Sequence, residues 1–356
     1  MSLTIKTPLT ELFKTDNPVM LAGMNQAAGP ALAAAVCNAG GIGSIGGVSY
    51  TPKVLRQMIA DLKADLKDKN APFGVDLLLP QVGGNARKTN YDYTKGNLPA
   101  LIDIIIEEKA ALFISAVGVP PKWAVDKLHE AGIVVANMCG APKHAVKAAD
   151  LGVDIVIAQG GEGGGHTGDI PTSVLIPEVV DAMKGRKSAF TGKDIIVVAA
   201  GGIYDGRGLA MALALGAAGV WVGTRFIACK EAGAPPRHQQ AVVKAGYKDT
   251  VRTLIYTGRP LRVLRTPYVN EWETNKSKEI RELTGKGVLP AIQDMEQKEK
   301  SGKEITFEDR LNVTPLLMGK NAGAINDIKS AKEIVDEMVT TAAQITQANA
   351  KLVAKL

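Results

Sequence analysis

The amino-acid sequence predicts an α/β protein, a (β/α)8 TIM barrel with a smaller, mostly helical domain inserted after strand eight. Short apolar runs rich in β-branched residues recur over the first part of the chain, and each is followed by a helical pattern rich in Ala, Leu and Lys. This alternation is typical of a parallel sheet. Glycine-rich turns follow the last three runs, whereas a doubly wound sheet carries its glycine fingerprint after the first strand. The barrel is therefore favoured.

Eight strands are predicted in chain order. They cover residues 18–22, 42–45, 73–78, 112–117, 133–138, 154–159, 195–200 and 220–224. Predicted helices lie between them, near residues 30–39, 52–68, 97–109, 121–131, 142–151, 174–185 and 205–216. Prolines stand at plausible first-turn positions of several helices, where their missing N–H costs nothing. Seven crossovers joining eight strands predict a barrel whose last helix is delayed.

The rhythm of strand and helix breaks after Thr224. The following segment contains proline-rich and arginine-rich stretches, then a charged helical pattern at 275–303, and finally a long amphipathic helix from about residue 330. We expect residues 1–229 and 326–356 to form the barrel and residues 230–325 to form a small helical domain on the substrate side.

The composition argues against several function classes. The formal charge of +6 invites a nucleic-acid reading, but the basic runs alternate with acids and only 4% of the residues are aromatic. No apolar run approaches the roughly 20 residues that cross a bilayer, and no secretory signal pattern opens the chain, so we expect a cytoplasmic protein without a membrane partner. The widely spaced Cys37, Cys139 and Cys229 suggest no metal site and no disulfide framework.

His166 is the sharpest candidate for chemistry. Active sites of such barrels lie at the carboxyl ends of the strands, and His166 follows strand six in a loop with five glycines among its eight preceding residues. An imidazole can exchange a proton with carbon near neutral pH. The other histidines, His129, His144 and His238, are expected at the surface.

Glycines after strands seven and eight predict a phosphate site. Gly201, Gly202 and Gly223 would let backbone N–H groups approach a phosphate, and Thr224 opens the next helix. The alternative is that they only form tight turns. No GxGxxG follows the first strand, and Gly160–Gly168 lacks the Lys-Ser/Thr of a P-loop, which disfavours a Rossmann NAD domain or an NTPase.

Several polar side chains near the strand ends are further candidates. Gln159 and Asp76 could contact the ring or ribityl chain of a flavin, and the tyrosines at 91 and 93 could form a lid. Glu162 and Asp169 could orient His166 or cap turns. A basic cluster could bind a nicotinamide phosphate or an acyl-carrier phosphate, or serve at the surface and in ion pairs; it comprises Arg252, Arg259, Arg262 and Arg265.

Three separated motifs carry a family resemblance. Residues 158–168 (AQGGEGGGHTG), 199–206 (AAGGIYDG) and 222–226 (VGTRF) resemble the nitronate monooxygenases, formerly called 2-nitropropane dioxygenases. The resemblance spans about residues 16–268. It implies an FMN-containing barrel that oxidises alkyl nitronates or nitroalkanes, such as propionate 3-nitronate, with O2, and releases nitrite and a carbonyl product.

The resemblance also implies residue roles. His166 would be the catalytic base, and no metal is expected. The flavin ring would be lined by Ala22, Gly23 and Met24 and contacted by Gln159 and Gly164, with the phosphate held by Gly201, Gly202, Gly223 and Thr224. The expected partners are the small substrate and O2, with a second copy of the chain as the candidate macromolecular partner.

The sequence departs from the family pattern at two places. Residues 21–25 read LAGMN, where many relatives have proline before the methionine, and GEGGGH replaces the commoner EAGGH. The flavin-dependent enoyl-thioester reductases and the related NAD(P)H:quinone reductases share the barrel and a similar loop. An NAD(P)H-dependent reductase acting on enoyl thioesters or quinones therefore stays open. A flavin-binding barrel without catalysis is the third hypothesis, and the intact His166 loop argues against it.

Overall fold

The computed structural model describes residues 4–48, 50–302 and 304–352. Eight parallel strands form the barrel, each within two residues of its predicted position. They are β1 (Val19–Leu21), β2 (Gly43–Gly47), β3 (Phe73–Leu78), β4 (Leu112–Ala116), β5 (Val134–Cys139), β6 (Ile155–Gln159), β8 (Ile196–Ala200) and β9 (Val220–Val222). The strand order is β1-β9-β8-β6-β5-β4-β3-β2, so chain neighbours are sheet neighbours. A parallel bridge between Met20 and Ile42 joins the two ends of the sheet. The predicted TIM barrel is confirmed.

Helices cover the outside of the barrel, and three of them begin at prolines, Pro30, Pro52 and Pro142, as predicted. The barrel helices are α2 (Pro30–Asn38), α3 (Pro52–Asp65), α4 (Leu98–Glu107), α5 (Lys122–Glu130), α6 (Pro142–Asp150), α7 (Thr172–Met183), α8 (Gly206–Ala214) and the short α9 (Thr224–Ile227). The final helix, α15 (Ala331–Ala350), packs against α8 and α2. It thus supplies the delayed last helix of the barrel.

The apolar residues separate into an inner and an outer core. Inside the barrel, alternate strand residues such as Met20, Ile114 and Trp221 form one buried cluster, and Leu9 and Phe13 of α1 (Pro8–Phe13) join it. The larger cluster lies between the strands and the helices. Because each strand is buried on both faces, near-continuous apolar runs are what this sheet requires.

The segment after β9 is richer in strands than the sequence analysis expects. Its helices are α10 (Pro236–Lys244), α11 (Pro267–Asn275), α12 (Ser277–Gly285), α13 (Pro290–Lys300) and α14 (Phe307–Val313), with a 3-10 turn at Lys320–Ala324. It also contains an antiparallel hairpin, β10 (Thr250–Thr253) and β11 (Leu261–Leu264). The hairpin pairs through β11 with a two-residue strand, β7 (Gly165–His166), in the glycine loop. The proposed division into two domains stays a prediction.

Two further searches cover the described part of the chain. None of its helices is long and apolar enough to cross a membrane. The same residues contain no cluster of three or more metal-ligating side chains of the His, Cys, Asp or Glu type.

Candidate active site

The glycine loop after β6 is fixed by arginines of the hairpin. Arg262 is only 6% exposed and donates to the Gly161 carbonyl at 2.9 Å. Arg252 donates to the Gly168 carbonyl at 2.7 Å and pairs with the Asp169 carboxylate at 2.6 Å. Charge-assisted hydrogen bonds of this kind are strong, so the loop and the hairpin form one unit. These two arginines are therefore occupied by the loop, and no phosphate role is needed to explain them.

His166 lies at the junction of this loop and the hairpin. In the backbone pairing of β7 with β11, His166 lies opposite Leu261. The Nε2 atom of its imidazole lies 3.0 Å from the Thr257 hydroxyl. The other ring nitrogen, Nδ1, has no hydrogen-bond partner among the described residues. Burial, and then the nearby Arg259 guanidinium, lower the pKa of His166 from 6.5 to about 4. The imidazole is therefore neutral near pH 7.

Arg259 is a cation without a carboxylate partner in the described residues. Its Nη1 donates to the Val117 carbonyl at 3.0 Å, and its Nε donates to Asn90 Oδ1 at 3.2 Å. Val117 follows β4 and has a φ of 70°, a left-handed conformation that strains a β-branched residue. Burial and the neighbouring Arg87 both lower the pKa of Arg259. This electrostatic cost at the mouth of the barrel suggests a functional charge.

Asp76 lies in β3, two residues before its end, and is the most unusual carboxylate of the site. It is 2% exposed, and its Oδ1 has no hydrogen-bond partner among the described residues. Burial raises the pKa of Asp76 to about 7. A Cβ at Gly23 would lie 2.3 Å from Asp76 Oδ2, so the loop after β1 approaches this carboxyl closely. An unsatisfied buried oxygen beside a glycine is what a cofactor hydroxyl or ring N–H would complement.

The glycines after β8 and β9 have the geometry that the phosphate prediction needs. Gly201 and Gly202 have φ of 93° and 75°. The amides of Gly202, Gly223 and Thr224 donate to no acceptor among the described residues, although the Thr224 side chain is buried and accepts from Gly319 N at 2.9 Å. Free amides at a helix start favour an anion. This end of the barrel therefore fits a cofactor phosphate.

The other predicted cofactor residues also lie at the carboxyl ends of the strands. Ala22 is buried directly after β1, and Met24 is half-buried beside Gly223, at which a Cβ would lie 3.4 Å from the Met24 sulfur. Gln159 ends β6, and its Nε2 donates to the Gly164 carbonyl at 3.3 Å, which is a long hydrogen bond. Its side-chain oxygen accepts no hydrogen bond from the described residues and is free to accept one. Their places match the sequence analysis, while their roles remain predictions.

Glu162 acts on the loop and not on His166. Its carboxylate accepts from the Thr172 amide at 3.0 Å and from the Thr172 hydroxyl at 2.8 Å, at the start of α7. The same hydroxyl lies 2.9 Å from the Gly201 carbonyl, so it also links the loop to the phosphate glycines. Glu162 therefore caps the start of α7, whereas Asp169 neither contacts His166 nor caps a turn among the described residues but pairs with Arg252.

The long loop after β3 packs on the hairpin turn. Gly258 lies so close to Thr89 that a Cβ there would be 2.2 Å from its hydroxyl. Tyr93 is buried, and its ring centroid is 4.3 Å from that of Tyr91, which is 47% exposed. The two loops thus form a continuous wall beside Arg259.

Two expectations about the remaining histidines are wrong. His129 is largely buried. Its Nε2 lies 2.9 Å from Asp154 Oδ2, and its ring stacks on Phe190. His238 is half-buried with its Nε2 2.8 Å from the Leu317 carbonyl. Both partners come from distant segments, which helix patterning does not reveal. His144 is exposed as expected.

Comparison with known proteins shows to which family the chain belongs. The family model described as nitronate monooxygenase matches residues 6–341. The chain belongs to the nitronate monooxygenase family. It is therefore an oxidoreductase, and the resemblance that the three motifs carry is confirmed.

Relatives in the nitronate monooxygenase family have diverse names. The chain is 35% identical to the (3aS,4S,5R,7aS)-5-hydroxy-7a-methyl-1-oxo-octahydro-1H-indene-4-carboxyl-CoA dehydrogenase of Rhodococcus jostii, over 95% of this chain and 96% of that protein. It is 35% identical to the nitronate monooxygenase of Pseudomonas aeruginosa, over 72% of this chain and 78% of that protein. The solved structure of FabK from Thermotoga maritima has a TM-score of 0.78 at 31% identity, covering 98% of this chain and 100% of that chain.

Residues that the sequence analysis missed complete the site. Thr257 was not singled out, because a threonine in an arginine-rich segment carries no motif. Asn321 was missed too. Its Nδ2 donates to the Ile203 carbonyl at 3.3 Å beside the phosphate glycines, while its buried Oδ1 has no partner in the part of the chain that the structure describes. The unusual density of Gly and Arg around residues 258–262 is the one sequence signal that could have pointed to Thr257.

Proposed function

We propose that this protein is an FMN-dependent oxidoreductase that oxidises alkyl nitronates or nitroalkanes with O2, releasing nitrite and a carbonyl product, with His166 as catalytic base. The observation that carries the proposal is the neutral, half-buried imidazole, which has one nitrogen without a partner among the described residues and lies near Arg259, which has no carboxylate partner among them. A base must be unprotonated to accept a proton, and a cation stabilises the anion that proton loss leaves.

FMN fits the residues at the mouth of the barrel. The unsatisfied Asp76 oxygen suits a polar group of the ring or ribityl chain, and the free amides near Gly202, Gly223 and Thr224 suit the phosphate. The chain belongs to the nitronate monooxygenase family, and the resemblance to that family implies FMN, which supports the assignment. Bound FMN supplies the redox chemistry that no side chain can provide.

Thr257 sets the form in which His166 acts. Its hydroxyl can donate to the Arg259 carbonyl, 3.4 Å away, while it accepts from Nε2–H of His166 at 3.0 Å. This tautomer leaves the lone pair on Nδ1, which then takes the proton from the carbon beside the nitro group. The partial burial of the imidazole and the nearby Arg259 guanidinium both favour its neutral form.

The decisive assay is nitrite release with O2 consumption. We expect the purified yellow protein to turn over propionate 3-nitronate and a neutral nitroalkane, and His166→Asn to lose most of its activity on the nitroalkane, which requires proton abstraction. General base catalysis is worth about 10²- to 10⁴-fold. His144→Asn, which changes an exposed histidine, is the matched control. Absence of nitrite from both substrates would refute the assignment.

A second candidate is favoured by the relatives. The Rhodococcus jostii protein, named as a carboxyl-CoA dehydrogenase, matches 95% of this chain, whereas the named nitronate monooxygenase of Pseudomonas aeruginosa matches 72%. Hydride transfer between the flavin and an acyl thioester is therefore the alternative. Rapid anaerobic bleaching by NADH or NADPH, followed by reoxidation with an enoyl thioester, would establish it in place of nitronate oxidation.

A further inference from the structure

Arg259 and Arg87 are neighbouring cations in the wall that the loop after β3 and the hairpin turn form, and Arg259 lies near His166. Arg87 donates to the Gly258 carbonyl at 3.4 Å, directly before Arg259 in the chain. Within the described residues neither guanidinium has a carboxylate within 4.0 Å, whereas Arg252 has one. All the acceptors they reach are neutral: two backbone carbonyls and the Asn90 amide oxygen.

This pairing is unfavourable unless an anion binds between the charges. Like charges raise each other's energy, and the effect acts mainly on the half-buried Arg259, where screening by water is reduced, because Arg87 is exposed. Arg259 also has an Nη2 that donates to no acceptor among the described residues. The hydroxyl of Thr89 is buried against Gly258 and has no hydrogen-bond partner among the described residues. The Arg259 guanidinium therefore keeps a donor for an anion.

The other arginines of the hairpin do not share this property. Arg252 and Arg262 hold carbonyls of the glycine loop, and Arg265 is exposed, with Nη1 3.3 Å from Asn270 Oδ1. The basic cluster of the sequence thus separates into two loop-holding arginines, one surface arginine and one site arginine.

We propose that Arg259 and Arg87 form an anion subsite beside His166, which binds a carboxylate or phosphate group of the substrate and selects substrates that carry one. Arg259 is then a specificity-determining residue as well as the cation next to the base. The inference rests on the proposed function only for its kinetic readout. A planar, bidentate donor is suited to both oxyanions.

The kinetic test compares two nitronates of the same shape. Propionate 3-nitronate carries a carboxylate where 3-methylbutyl nitronate carries an isopropyl group. We expect the wild-type enzyme to prefer the carboxylate by about 10- to 100-fold in kcat/KM, as for a charged hydrogen bond. Arg259→Met should abolish the preference, Arg87→Met should reduce it, and the control Arg265→Met should leave it unchanged. Equal kcat/KM values for the two nitronates in the wild type would overturn the subsite.

A binding test separates this inference from the proposed function. Equilibrium dialysis would compare succinate, 3-phosphonopropionate and 4-methylpentanoate, whose isopropyl end cannot accept a hydrogen bond. If neither nitronate is turned over but succinate or the phosphonate binds at least about tenfold more tightly than 4-methylpentanoate, and Arg259→Met removes the difference, the subsite stands and nitronate oxidation fails. Preference for the phosphonate would assign phosphate as the anion.

The variants need a check on folding. Arg259→Lys keeps the charge and loses the fork, so we expect it to retain part of the preference with an unchanged circular dichroism spectrum. If Arg259→Met is poorly folded, the comparison of Arg259→Lys and Arg87→Met with wild type decides the question. Full retention of the preference in both would overturn the proposal.

Discussion

Asp76 should make the flavin-free protein less stable as the pH rises. The folded-state pKa of Asp76 is about 7, against an ordinary value of 3.8. Because the folded pKa is raised, the stabilisation is fully present below the ordinary value and is lost as the pH rises through the folded value. The difference corresponds to about 4 kcal/mol in total. About 2.5 kcal/mol of this falls between about pH 5 and about pH 8, since the unfolded chain is already ionised at pH 5.

The assay is urea unfolding of the flavin-free protein across that pH range, with Asp76→Asn as the perturbation. The amide has the shape of the carboxyl and does not titrate in this range, so the wild-type and variant free energies of unfolding should diverge by about 2.5 kcal/mol toward high pH. Asp68→Asn, at an exposed turn, is the control. Parallel pH profiles for wild type and Asp76→Asn would show that the folded-state pKa of Asp76 is ordinary, and the argument for an unsatisfied buried carboxyl would fail.

Three further outcomes follow from the site. The acid limb of kcat/KM for a nitroalkane should lie near pH 4 and not near 6.5, because His166 must be neutral to accept a proton and its pKa is lowered to about 4; a limb at 6.5 in the pH–rate profile would contradict the burial argument. Thr257→Val should lower kcat by about tenfold or more while Thr257→Ser stays near wild type, because only the hydroxyl fixes the imidazole tautomer; steady-state kinetics of the two variants would test this, and equal rates would exclude the role. Gly201→Ala should lose flavin and stability, since a Cβ would lie 2.7 Å from the Gly160 carbonyl oxygen at a φ of 93°; Gly192→Ala also has a positive φ but meets open space, so it should cost only about 1–2 kcal/mol and keep its flavin. Equal flavin content and unfolding free energy in the two glycine variants would contradict the steric reasoning.

Much of the barrel could be predicted because its signals are local. Strands buried on both faces must be continuous apolar runs, and a proline in the first turn marks where a helix begins. The same locality made His166 visible, because a histidine among glycines at a strand end has no structural explanation in the pattern. Gly201 and Gly202 likewise carry a positive φ that favours glycine.

The hairpin β10–β11 could not be predicted in the same way. Its strands have four residues each and carry arginines at 252 and 262, so neither resembles a buried strand. Its third partner, β7, has two residues and exists only because the glycine loop is brought against the hairpin. Pairing of this kind depends on long-range contact and leaves no periodic signal.

The order of apolar runs and turns along the chain already indicates which residues stand at the carboxyl ends of the barrel strands. Only the tertiary structure decided their electrostatic state. The lowered pKa of His166, the raised pKa of Asp76 and the separation of Arg259 from the loop-holding arginines all depend on what covers each group. Thr257, which contacts His166, lies 91 residues away in the chain. No local sequence pattern encodes a contact over that separation.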